Sequence, residues 1–161
     1  MLRSSPVQQH DPLARFEHDH AHLARQVGLL RGDLATAQSS GTLAPDFVPV
    51  LVALTEELVE HFAREEEGLF PFIESNVPDL APAVAELVAA HDRMCGVASR
   101  LIAAERRDPS STSIEHAVAL FHRFEAVYVD HAAHEREFLR TVAARLDSGK
   151  REQLAELLRG I

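Results

Sequence analysis

His61-Phe62-Ala63-Arg64-Glu65-Glu66-Glu67-Gly68-Leu69-Phe70-Pro71 is the stretch whose reading decides the fold. A histidine and a carboxylate stand four residues apart inside a helical run of apolar residues. On a helix, positions i and i+4 lie on one face, one above the other. The apolar positions around them (Phe47, Val50, Leu51, Leu54, Leu58, Phe62 and Leu69) place His61 and Glu65 on the stripe that a helix turns toward a core. Glu66 falls at the margin of that stripe and Glu67 outside it. Pro71 lacks a backbone donor, so it is expected to kink or end the helix.

Working outward, the same spacing returns at His131 and Glu135. Upstream, Asp11-Pro12 reads as an N-cap followed by proline at the first helical position. The first helix is expected over about residues 12–38. Leu13, Phe16, His20, Leu23, Val27, Leu30 and Leu34 follow one another at steps of three and four, so His20 belongs to the apolar stripe. His18 and His22 fall about 160° from it, on the solvent side. Downstream, Pro82 opens a third helix with Val84, Leu87, Val88, His91, Met94, Cys95, Ala98 and Leu101 on its apolar side. A polar break at residues 108–113 precedes a fourth helix over about 113–146. Its buried side carries Leu120, Phe121, Phe124, Tyr128, His131, Glu135, Phe138 and Val142. His134 flanks this side, and His116 and His122 are peripheral. Asp147-Ser148 caps a short terminal helix. No strand-length alternation occurs between turn signals.

These elements predict an all-α chain: an up-down-up-down antiparallel four-helix bundle over residues 11–161 with a short extra C-terminal helix. Residues 1–10 are expected to form a loose N-terminal arm. The 161-residue length suits one domain with a sizeable core. The net charge of −9 lacks the footprint of a nucleic-acid partner. No run of about 20 apolar residues offers a membrane span. The first residues lack the apolar stretch of a secretory signal. A soluble, cytoplasmic protein is therefore expected. The lone Cys95 cannot form an internal disulfide.

The inward polar set is thus His20, His61, Glu65, His91, His131 and Glu135, drawn from all four long helices. An ionised carboxylate in a core costs several kcal/mol unless it is paired or bound to metal. Six such groups need a common partner, and a metal centre supplies one. Nitrogen and oxygen donors suit iron, manganese or zinc. A structural zinc closes with about four ligands, so six fit two metals better, each with two histidines and both bridged by two carboxylates. The remaining positions would be open to an oxo or hydroxo bridge and a small exogenous ligand.

The order His20, His61-x-x-x-Glu65, His91, His131-x-x-x-Glu135 resembles the hemerythrin-like (HHE cation-binding) domain family. The run from His61 to Pro71 is similar to that family's second helix. Asp19-His20 and Ala90-His91-Asp92 are similar to its first and third helix sites. The resemblance covers about residues 11–146. It implies a non-haem centre of two iron ions, with Glu65 and Glu135 as bridging carboxylates and the four histidines as terminal ligands. The oxygen carriers of marine invertebrates have HxxxH in the third helix, where Cys95 stands here, and HxxxxD in the fourth, where HxxxE stands. The pattern is closer to the bacterial branch with four histidines and two glutamates. It implies a protein that binds or senses dioxygen, nitric oxide or peroxide, with a protein partner left unspecified. The alternatives are an enzyme turning over peroxide or nitric oxide, or an iron storage or donation protein. Tyr128, one turn before His131, is a candidate to hydrogen-bond a bound ligand or to coordinate iron; packing in the core near the site is the plainer role for it.

Overall fold

The computed structural model describes residues 11–107 and 114–161. The expected arm at 1–10 and break at 108–113 lie outside the described residues. Helix α1 spans Pro12–Ser40, and the Asp11 carboxylate accepts from the Leu13 amide at 3.2 Å, as an N-cap should. It ends at Gly41, whose φ of 77° is a left-handed conformation that glycine adopts without a Cβ clash, and whose amide donates to the Ala37 carbonyl. Helix α2 spans Phe47–Arg64. It does not end near Pro71. The chain widens into a π-helical turn over Glu65–Leu69, then continues as α3, Phe70–Asn76. The Phe70 amide donates to the Glu65 carbonyl, five residues back. This register shift comes immediately before the proline. The widened turn absorbs the donor that Pro71 lacks, so the helical path survives.

A short 3-10 turn at Pro78–Leu80 leads to α4, Ala81–Arg107. Helix α5 spans Ile114–Arg145, and α6 spans Ser148–Arg159 with Asp147 capping the Lys150 amide at 2.8 Å. Helix α1 packs on α2 and α5, and α4 packs on the same two. The four long helices therefore close a ring in up-down-up-down order, as their short connections require. There is no strand among the described residues, and none of their helices is long and apolar enough to cross a membrane.

The core has two apolar layers. One holds Leu23, Val27, Phe47, Leu54, Phe62, Met94, Leu101, Phe121, Phe124 and Tyr128. The other holds Leu13, Phe16, Leu69, Phe70, Leu87, Phe138, Val142, Leu154 and Leu158. Burying a large apolar side chain contributes about 1.5–3 kcal/mol, so both layers stabilise the bundle. On every long helix the switch from one layer to the other brackets an inward polar residue. His20 lies between Phe16 and Leu23, His91 between Leu87 and Met94, and His131 between Tyr128 and Phe138. Helix α6 covers the second layer. It approaches the π turn so closely that a Cβ on Gly68 would lie 2.8 Å from Leu158 Cδ2 and 2.9 Å from Ile161 Cδ1.

Candidate metal centre

All six inward residues meet in the polar layer between the two apolar ones. Glu65 and Glu135 are fully buried, and His61, His91 and His131 are nearly so. The Glu65 carboxylate divides its oxygens: Oε1 lies 3.2 Å from His61 Nε2 and Oε2 lies 3.2 Å from His91 Nε2. Glu135 uses one oxygen twice, with Oε2 3.0 Å from both His20 Nε2 and His131 Nε2. His20 and His61 face each other through their Nε2 atoms at 3.0 Å. The candidate ligand atoms form two compact sets, each within 4.8 Å: His20, His61, Glu65 and Glu135, and Glu65, His91 and His131. Glu65 belongs to both.

Hydrogen bonding leaves this layer unsatisfied. Both oxygens of Glu65 and of Glu135, Nε2 of His91, and both ring nitrogens of His131 are buried without a well-aligned partner. Such orphaned polar atoms each cost about 1–3 kcal/mol. Clustered on one point, they suit a cation that uses their lone pairs. The donors are imidazole nitrogens and carboxylate oxygens, the set that suits iron, manganese or zinc.

The protonation states of the metal-free layer follow from burial. Burial lowers the His61 imidazole to about 4, with Glu135 opposing. Burial and then His131 lower His91 to about 3. Both rings are therefore neutral, the form that ligates metal. Burial and then Glu135 push Glu65 well above the usual carboxylate range. Burial raises Glu135 as well, but the contacts from Glu65, His131 and His20 outweigh it and hold that carboxyl well below. Two adjacent carboxyls that cannot both ionise split in this way.

Around the six residues, the phase of each helix sets who supports whom. Glu66, marginal by helical phase, accepts from or donates to His91 Nδ1 at 2.6 Å according to the proton's position. A carboxylate on the far nitrogen of a histidine fixes the ring's orientation and tautomer. Asp19 stands 3.7 Å from His61 Nδ1 and accepts from Arg64 at 2.8 Å. Neither role was readable from spacing, since both carboxylates lie beside the stripe rather than on it. The acidic run at 65–67 was the only hint for Glu66. The Phe62 ring stacks on His91 with centroids 3.7 Å apart, fixing that imidazole from its other side.

Tyr128 stacks on Phe124 and is nearly buried. It joins neither compact set. Burial and then Glu135 push its phenol up to about 12, which keeps it protonated. Cys95 is half-buried against the first apolar layer and belongs to neither set. His18, His22, His116, His122 and His134 are exposed.

A helical bundle with a closed layer of imidazoles and carboxylates defines a cation-binding domain. The model of the hemerythrin HHE cation-binding domain matches residues 11–143. The chain belongs to that family. Comparison with curated proteins finds no match, and comparison with solved structures finds none.

Proposed function

We propose that this chain is a non-haem di-iron protein of the four-histidine, two-glutamate kind, binding or sensing a small ligand such as dioxygen, nitric oxide or peroxide. The observation that carries the proposal is the Glu65 carboxylate, which turns one oxygen to His61 and the other to His91. One carboxylate shared by two sets of donors is what a bridged pair of ions requires. His20 and His61 would hold one ion, His91 and His131 the other, and Glu65 and Glu135 would join them. A bound iron pair supplies Lewis acidity and reversible one-electron chemistry to a small ligand.

The protein's own residues prepare for this in three ways. Neutral His61 and His91 present lone pairs without first losing a proton. Glu66 orients His91 from behind. Tyr128, protonated and with no hydrogen-bond partner among the described residues, is a donor held ready for a ligand arriving near Glu135. Such a donor also suits the second reading, turnover of peroxide, in which a proton must be delivered.

The test is an optical spectrum of iron-loaded protein before and after adding dioxygen, nitric oxide or peroxide. Binding predicts a saturable spectral change that reverses when the ligand is removed. Consumption of many equivalents of peroxide, lost in Tyr128→Phe, would replace binding by turnover. No spectral change with any of the three would overturn both readings.

A further inference from the structure

The six candidate ligands are not equally sheltered. The side chain of His20 is 20% exposed, against 0–3% for the other five. His20 borders a cavity of about 570 Å³ between α1 and α5. The cavity exists because small side chains face one another there: Ala21 and Ala24 on α1, Ala132 and Ala133 on α5. Tyr128, one of the few polar side chains along it, is nine-tenths buried and makes no hydrogen bond among the described residues. At the exposed side stands Arg136, which has no ion pair among the described residues.

We infer that this α1/α5 cavity is the port through which small ligands reach the buried centre, and that Arg136 makes it selective for small anions over cations. The inference rests on the di-iron reading for what lies at the inner end, but the port itself is a property of the metal-free chain. A protein of net charge −9 repels anions as a whole. An unpaired guanidinium at the mouth of the cavity reverses that bias locally, because fields focus in clefts with low-dielectric walls. Glu17, exposed on the same rim, offsets part of the effect without neutralising the arginine directly, since the two form no ion pair. Other grooves among the described residues differ in charge. One reaches His131 and carries Glu86, Asp130 and Glu137 against Arg93. Another is rimmed by Glu66, Glu74 and Asp92. Both rims are acidic and disfavour anions.

The chain contains one tyrosine and no tryptophan, so its intrinsic fluorescence reports Tyr128 alone. The experiment is quenching of that fluorescence in metal-free protein by iodide, caesium and neutral acrylamide, each referred to free N-acetyltyrosinamide. Iodide should quench several-fold more than caesium despite the overall negative charge. Arg136→Gln should abolish the preference and leave acrylamide unchanged. Ala132→Leu, and separately Ala21→Leu on the opposite wall, should lower quenching by all three. Ala89→Leu, which lies on both acidic grooves, should change nothing. In iron-loaded protein, Ala132→Leu should slow azide association by about tenfold or more with little change in final affinity, as expected when access rather than the site is altered. Quenching by caesium equal to that by iodide, or insensitive to both cavity-filling variants, would overturn the port. So would unchanged azide association in folded Ala132→Leu. Failure of iron to bind would defeat the di-iron reading instead, and the quenching series would still decide the cavity.

Discussion

The two His-x-x-x-Glu pairs have the same spacing and different backbones. His131 and Glu135 sit inside an uninterrupted α-helix. His61 lies in the last turn of one, and Glu65 begins a π turn. The carboxylates differ accordingly. Glu135 turns a single oxygen to two histidines, whereas Glu65 gives one oxygen to each half of the layer. Glu66, in the wider turn, also lies within 2.6 Å of His91 Nδ1, whereas His131 Nδ1 on the regular helix has no hydrogen-bond partner among the described residues. Equal spacing fixes which face two residues share. The backbone around them decides how far each carboxylate reaches.

Removing each carboxylate gives the largest contrast. Because Glu65 belongs to both compact sets and Glu135 to one, Glu65→Ala should lower bound metal more than Glu135→Ala. Glu65→Ala leaves three donors in one set and only His91 and His131 in the other, whereas Glu135→Ala leaves three donors in each. Elemental analysis of the two purified variants checks this, and equal losses would erase the distinction between the pairs.

Acid should expose a second difference in metal-free protein. The His61 imidazole lies at about 4 instead of 6.5 and His91 at about 3. The unfolded chain therefore takes up protons that the folded one refuses, and stability falls as the pH drops from about 6.5 through the folded values. For His61 alone the loss amounts to about 3 kcal/mol. Urea midpoints at neutral and acid pH should show it, and His61→Asn should lessen the dependence while the His91 share remains. Glu65 acts in the opposite sense. Its carboxyl is raised, so raising the pH through its elevated range costs stability. Glu65→Gln should remove that loss, which begins as the pH climbs above about 4.5, the carboxyl's ordinary value.

Most of the bundle was legible because it rests on periodicity. The steps of three and four through Leu13, Phe16, His20 and Leu23 put His20 on the core side, and the same arithmetic sent His18 and His22 outward. Pro71 was expected to kink or end the helix; no end falls there, and the shifted hydrogen-bond register of Glu65–Leu69 just before it lets the helical path continue. Nothing in residues 65–69 advertises a π turn, and Leu69 and Phe70 within and after it are buried in the same apolar layer as Leu154 and Leu158 of α6. Glu66 and Asp19 escaped for a related reason. Their contacts reach across helices, and sequence spacing within one helix carries no such information.

Two smaller perturbations address the supports of the α2 pair. Glu66→Ala should weaken metal retention by about 10- to 100-fold, the usual cost of losing a carboxylate behind a ligating histidine. Asp19→Ala should cost less, because 3.7 Å from His61 Nδ1 is beyond hydrogen-bond distance. A chelator competition series compares them. Gly68→Val should destabilise by about 1 kcal/mol or less, because its clash meets only the flexible ends of Leu158 and Ile161, read as a slightly lowered urea midpoint. His18→Ala and His22→Ala should leave metal content unchanged, while His20→Ala lowers it.

The measurement that bears most directly on the shared layer is the iron content of the loaded wild-type chain, with protein concentration fixed by amino-acid analysis. Two donor sets joined by Glu65 predict about two iron ions per chain. A plateau at one ion, or none retained after gel filtration, would contradict the bridged pair.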